Sequence, residues 1–140
     1  VQPREIPQRQ GSTRGTETLL IAEDDENLRF LVRRVLETAG YRVFSVPDGR
    51  QAVELWQAKR EEIDLVVFDV MMPVLGGLEA WEAIVAEEPT VRGLLISGFS
   101  DDLARSDGLD GRVPDFLPKP FRNEELLAAV RRILDTSRAG

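Results

Sequence analysis

A doubly wound α/β sheet of parallel strands is the fold this sequence predicts, and two observations predict it. Short unbroken apolar runs alternate along the chain with segments whose apolar residues recur at helical spacing. The runs also lack the in–out alternation of a sheet with one wet face, so they read as strands buried on both sides, as parallel sheets require.

The elements follow in order. Leu19 to Ala22 form the first strand. Leu28, Leu31, Val32, Val35, Leu36 and Ala39 make one helix face that stops at Gly40. Val43, Phe44 and Val46 are the second strand, and Asp48 stands as N-cap before a helix carrying Ala52, Val53 and Trp56. Leu65 to Phe68 form the third strand, broken abruptly by Asp69. A helix with Leu78, Trp81, Ile84 and Val85 comes next, and Leu94 to Ile96 form the fourth strand. Residues 100–110 hold few apolar anchors and a glycine, which predicts a short, loosely packed helix. Val113, Phe116 and Leu117 make the fifth strand, with Pro114 placing it at an edge. Asn123 is the expected cap of a last helix. Glu124 and Glu125 fill its first turn, Leu126, Val130, Ile133 and Leu134 its buried stripe, and Arg131 and Arg132 stand near its end. Five strands with right-handed crossovers give the flavodoxin-like order 2-1-3-4-5, with helices on both faces.

The composition narrows the chemistry. With 25 acidic against 18 basic residues, the chain lacks the basic footprint of a nucleic-acid binder. Cysteine and histidine are both absent. That excludes disulfides, Cys/His zinc sites and any mechanism using a histidine base. A bound metal must therefore have oxygen ligands. No apolar run approaches the roughly 20 residues that span a bilayer, and the expected compartment is the cytoplasm, with no direct membrane contact. Residues 1–17 are polar and rich in Pro and Gly, reading as a flexible linker or arm. Residues 18–137 form the one domain and 138–140 a tail.

Open parallel sheets bind ligands beyond the carboxyl ends of their strands. Just past those ends lie Glu23, Asp24 and Asp25, then Asp69, Ser97 and Lys119. Singly, each is an ordinary surface or loop residue, and an EDDE run is most often a solvated helix start. Together on one rim they form a site. Clustered carboxylates repel unless a cation joins them. Mg²⁺ suits that need, with Mn²⁺ as the other choice. Asp69 could then attack phosphorus as a carboxylate nucleophile, while Lys119 and Ser97 stabilise the phosphoryl oxygens.

With these residues in place, the sequence resembles the response regulator receiver domain family. The stretches LLIAEDDENLR, DLVVFDVMMPVLGGLEA, LLISGFS and FLPKPF carry the resemblance, in the family's order and spacing. It implies that Asp69 is the phosphoacceptor and that Glu23 and Asp24 are the acidic metal pair, counting back from Arg29. Asp25 then lies outside the metal's ligands, near a helix N-terminus. Met71 would offer its backbone carbonyl to the metal. Ser97 and Phe116 would be the switch pair, although Phe116 is equally well read as core. Lys119 would pair with the phosphoryl group, next to a cis Lys119–Pro120 peptide. The donor would be a histidine kinase, with a histidine phosphotransfer protein as a further partner.

The wording ETLLIAEDDE, LLISGFSDD and FLPKPF is most similar to receivers at the C-terminal end of hybrid sensor histidine kinases. A stand-alone regulator or phosphate sink is the alternative. Two rivals come from other classes: an interaction module that works without phosphate, and a haloacid dehalogenase-type phosphatase. The latter needs a second aspartate two residues after the nucleophile, where this chain has Met71. A receiver of this kind would catalyse its own phosphorylation from phosphohistidine. Met71 and Phe99, flanking the path of hydrolytic water, predict slow self-dephosphorylation.

Overall fold

The computed structural model describes residues 14–98 and 115–136. Five strands, β1 (Thr18–Ala22), β2 (Arg42–Val46), β3 (Leu65–Asp69), β4 (Gly93–Ser97) and β5 (Asp115–Pro118), pair in parallel in the order β2-β1-β3-β4-β5. The helices are α1 (Glu26–Thr38), α2 (Gly49–Lys59), α3 (Gly77–Glu87) and α4 (Asn123–Asp135). The predicted helix over 100–110, together with Phe99, Val113 and Pro114, lies outside the described residues.

The strands divide their side chains between two cores. Leu19, Ile21, Leu65, Val67, Leu94 and Ile96 pack beneath α1 and α4. Leu20, Ala22, Val66, Phe68 and Leu95 pack beneath α2 and α3. Because consecutive strand residues point to opposite faces, a strand covered by helices on both sides must be apolar throughout. The order also leaves β5 at an edge, where its Asp115 and Pro118 are exposed.

Helix boundaries follow local chemistry. Asp25 caps α1, accepting from Leu28 N, and Asp48 caps α2, accepting from Gln51 N. At the far end of α1, Gly40 N–H donates to Glu37 C=O at 3.0 Å and Tyr41 N–H to Leu36 C=O at 3.1 Å. That paired closure needs a left-handed residue, and Gly40 supplies it with φ of 109°. The last helix departs from expectation. Arg122, not Asn123, is its N-cap, and Asn123 is already helical. The Glu125 carboxylate accepts from Arg122 N–H at 2.7 Å, supplying from within the first turn what the cap's own side chain does not. Leu31 is a second departure. It is 49% exposed, lying at the margin of the α1 stripe rather than beneath it.

Arg131 stands near the end of α4, where a helix dipole favours a cation; it pairs with Asp135 one turn on at 2.9 Å and also makes tertiary contacts. Its guanidinium donates to Glu17 Oε2 at 2.7 Å, Tyr41 Oη at 3.2 Å and Arg14 C=O at 3.0 Å. The Arg131 hydrogen bond holds the Glu17 carboxyl below its ordinary range. Gly15 N–H adds a bond to Ala39 C=O at 3.1 Å. Residues 14–17, which sequence reading assigns to the arm, are thus fastened to α1 and α4.

Candidate metal and phosphoacceptor site

The register aligns Asp69 with Ile96 and Ser97 with Pro118, so β3, β4 and β5 end side by side. β1 ends one residue before Glu23, whose N–H donates to Val46 C=O at 3.1 Å and extends the sheet's bonding into the acidic turn. Asp69 and Ser97 are 3% and 1% exposed, so both polar side chains sit inside the sheet's rim. Lys119 reaches the rim through its backbone, its N–H donating to Ser97 C=O at 2.8 Å. The Lys119–Pro120 peptide is cis.

The side chains converge. Carboxylate oxygens of Glu23, Asp24 and Asp69 all lie within 4.8 Å of one another. Lys119 Nζ is 3.0 Å from Asp69 Oδ2 and 3.7 Å from Glu23 Oε1. Asp69 Oδ1 accepts the Met71 N–H at 3.2 Å. Asp25 is turned to helix capping, leaving Glu23 and Asp24 as the acidic pair. Met71, two residues past Asp69, is 53% exposed. Phe116 is half-buried against the core beneath α2 and α3.

Burial, reinforced by the neighbouring Asp69 charge, pushes the Glu23 carboxyl up to about 8. Burial works against the Lys119 charge, but Asp69, Glu23 and Asp24 outweigh it and hold the ammonium above its usual range. One lysine does not balance three acids. Glu23 Oε1 is buried with no hydrogen-bond partner. An orphaned, hard oxygen facing two more carboxylates fits a divalent cation of the Mg²⁺ type, which takes oxygen ligands and keeps water in its remaining positions.

A prediction on pH follows. Glu23 titrates near 4.5 when unfolded and near 8 in the metal-free fold. Between those values the folded state holds the extra proton, so its stability falls as pH rises. In EDTA, melting temperature should decline from pH 5 to pH 8. Saturating Mg²⁺ competes with the proton and should remove that slope. Parallel pH-dependent melts with and without Mg²⁺ would refute this if their slopes matched.

Two features of the β3–α3 loop escape sequence reading. Gly77 N–H donates to Val70 C=O at 3.0 Å, and a Cβ on Gly77 would collide with the Asp69 carbonyl oxygen. α3 can begin this close to the phosphoacceptor's peptide only with glycine there. The second feature is Val74, at φ 68° and 72% exposed. A β-branched residue is disfavoured in that region, by about 1–2 kcal/mol. Val74→Asn should stabilise the protein by about 1 kcal/mol, since Asn tolerates left-handed backbone. Urea melts check this, and an unchanged or lowered midpoint would count against it.

Residues 19–131 match the family described as the response regulator receiver domain. The chain belongs to that family. This receiver is 40% identical over 116 residues to Response regulator MprA of Mycolicibacterium vanbaalenii, covering 83% of this chain and 49% of that protein. It is 32% identical over 122 residues to Sensor kinase CckA of Brucella abortus, covering 86% of this chain and 13% of that one. The chain thus spans about half or less of these curated relatives. Among solved structures, the Vibrio cholerae chemotaxis protein CheY4 superposes with a TM-score of 0.76 at 28% identity, covering 85% of this chain and 99% of that one. The Thermotoga maritima response regulator TrrA, solved with Mg²⁺ and BeF, gives 0.75 at 26% identity, covering 84% and 98%. The receiver fold and its two-component family are therefore established for this chain. Among the described residues, no helix is long and apolar enough to cross a membrane.

Proposed function

We propose that this receiver accepts a phosphoryl group on Asp69, with Glu23, Asp24, Asp69 and the Met71 backbone carbonyl holding Mg²⁺. The observation that carries this reading is the convergence of Lys119 and three carboxylates on one rim. A Mg²⁺–BeF complex of the Thermotoga relative supports the choice of ion and of phosphoryl chemistry. Bound Mg²⁺ would neutralise the acids and offer open positions to phosphoryl oxygens. An Asp69 oxygen bonds phosphorus as the donor's P–N bond breaks, and the departing imidazole keeps the electron pair. Lys119 then follows the charge from the carboxylate to the new phosphoryl oxygens. Ser97 bonds one of them, and the space it leaves admits Phe116.

The phosphodonor is a histidine kinase, and a histidine phosphotransfer protein is the onward partner. Similarity to Sensor kinase CckA supports a hybrid-kinase context in the cytoplasm, while similarity to Response regulator MprA supports the alternative of a regulator separate from the kinase. The full-length reading frame separates them. In either setting, residues 18–137 act as the signalling unit, with residues 14–17 fastened to it and the arm before them as its tether.

Incubation with acetyl phosphate and Mg²⁺ tests the proposal. One acid-stable adduct per chain is expected, absent in EDTA and absent in Asp69→Asn. Equal labelling of Asp69→Asn would refute Asp69 as acceptor. No adduct at all would favour an inert interaction module, and sustained turnover of a phosphate ester a phosphatase. Lifetime provides a further prediction. Neither Met71 nor Phe99 can orient water, so Met71→Asn should speed loss of the adduct several-fold, about 1 kcal/mol in barrier. Unchanged or slower decay would refute that role.

A further inference from the structure

Arg29 is not used by the chemistry above, yet it reaches back from the first turns of α1 into the acidic site. Its Nη1 donates to the Glu23 backbone carbonyl at 2.8 Å. Two other bonds tie the same turn. Asp25 N–H donates to Glu23 Oε2 at 2.9 Å, and Asp25 Oδ1 accepts Leu28 N–H at 3.1 Å. Among these bonds, Arg29 alone links α1 directly to the acidic pair, while Asp25 links them through the helix cap.

We infer that Arg29 is a positioning residue for the metal site, fixing the Glu23–Asp24 turn so that both carboxylates face Asp69. The choice of acceptor matters. Arg29 donates to a neutral carbonyl, so it orders the turn without occupying a carboxylate oxygen. Glu23 Oε1 stays without a hydrogen-bond partner, with Lys119 Nζ 3.7 Å away. Asp24 is exposed, and its aim follows the backbone turn that Arg29 holds. Groups that orient metal ligands from behind typically change metal affinity 10–100-fold when removed.

The sign of the effect separates positioning from charge. A guanidinium near a cation site repels the cation. If Arg29 acted only through its charge, removing it would tighten Mg²⁺ binding. If it positions the turn, removing it weakens binding. The inference rests on the metal site proposed above, and the experiment keeps the two apart. Mg²⁺ is titrated calorimetrically into wild type, Arg29→Met, Arg29→Gln and Arg29→Lys without phosphodonor, with melts in EDTA alongside. Met and Gln keep helix propensity and the stem's packing while losing the charge and the reach. Expected are about tenfold weaker Mg²⁺ binding in both, recovery to within about threefold in Arg29→Lys, and cooperative melts throughout. Unchanged or tighter Mg²⁺ binding in the Met and Gln variants would overturn the positioning role. Absence of Mg²⁺ binding in wild type would instead overturn the site itself.

Discussion

Lys119→Met is expected to slow phosphorylation by acetyl phosphate by about 10²–10³-fold while leaving Mg²⁺ binding at least as tight. The rate term reflects loss of a preorganised cation aimed at charge that develops on the transferred group, in a rim where Asp69 and Ser97 are almost wholly buried. The binding term has the opposite sign for a plain reason. Lys119 Nζ lies 3.0 Å from Asp69 and 3.7 Å from Glu23, so it competes for the carboxylates that would hold the ion. Initial rates of adduct formation at saturating Mg²⁺, with calorimetry for the ion, measure both. A rate within threefold of wild type would remove Lys119 from the chemistry. Equal losses in rate and in ion affinity would mean that the substitution had damaged the pocket rather than the transition state.

Gly77→Ala is expected to disturb both the fold and the placement of Asp69. The added carbon would meet the Asp69 carbonyl oxygen, lie 2.8 Å from its carbon, and stand 3.1 Å from Val70 Cα. All three are backbone atoms, so no side chain can rotate away, and the strand end or the start of α3 must shift. Overpacking of this kind costs about 1–3 kcal/mol. A displacement near 1 Å at a reacting group costs up to about 10²-fold in rate. Denaturant melts and adduct formation report the two effects separately. The contrast variant is Gly98→Ala, where an added carbon would lie at an ordinary 3.9 Å from Lys119 Cδ. If Gly77→Ala matched wild type in both measurements, close approach of α3 would not be what fixes Asp69.

Glu23 links these results. Its displaced titration comes first from burial, and burial follows from its place immediately after β1. A stability that falls with rising pH in EDTA, and is flat in Mg²⁺, would be the thermodynamic signature of a pocket built for the ion rather than for the bare fold.

The fold was legible because each strand is covered on both faces. Double burial demands continuous apolar runs, and such runs are local properties of the chain. For the same reason Asp69, an acid ending Leu65 to Phe68, stood out at once. Asp48 was legible as a cap, since a capping bond spans only three residues. By itself, then, the sequence determined the alternation of elements, the strand order, and the rim on which Glu23, Asp24, Asp69, Ser97 and Lys119 meet. Tertiary structure alone decided the rest. Arg131 was readable only as a cation near a helix end, because Glu17 and Tyr41 are 114 and 90 residues distant. Arg29 was a counting mark until its guanidinium met a backbone carbonyl. Gly77 carried no signal of its own until α3 was laid against Asp69. Each of these depends on where two backbones come to lie relative to one another, and no local pattern of residue types records that distance.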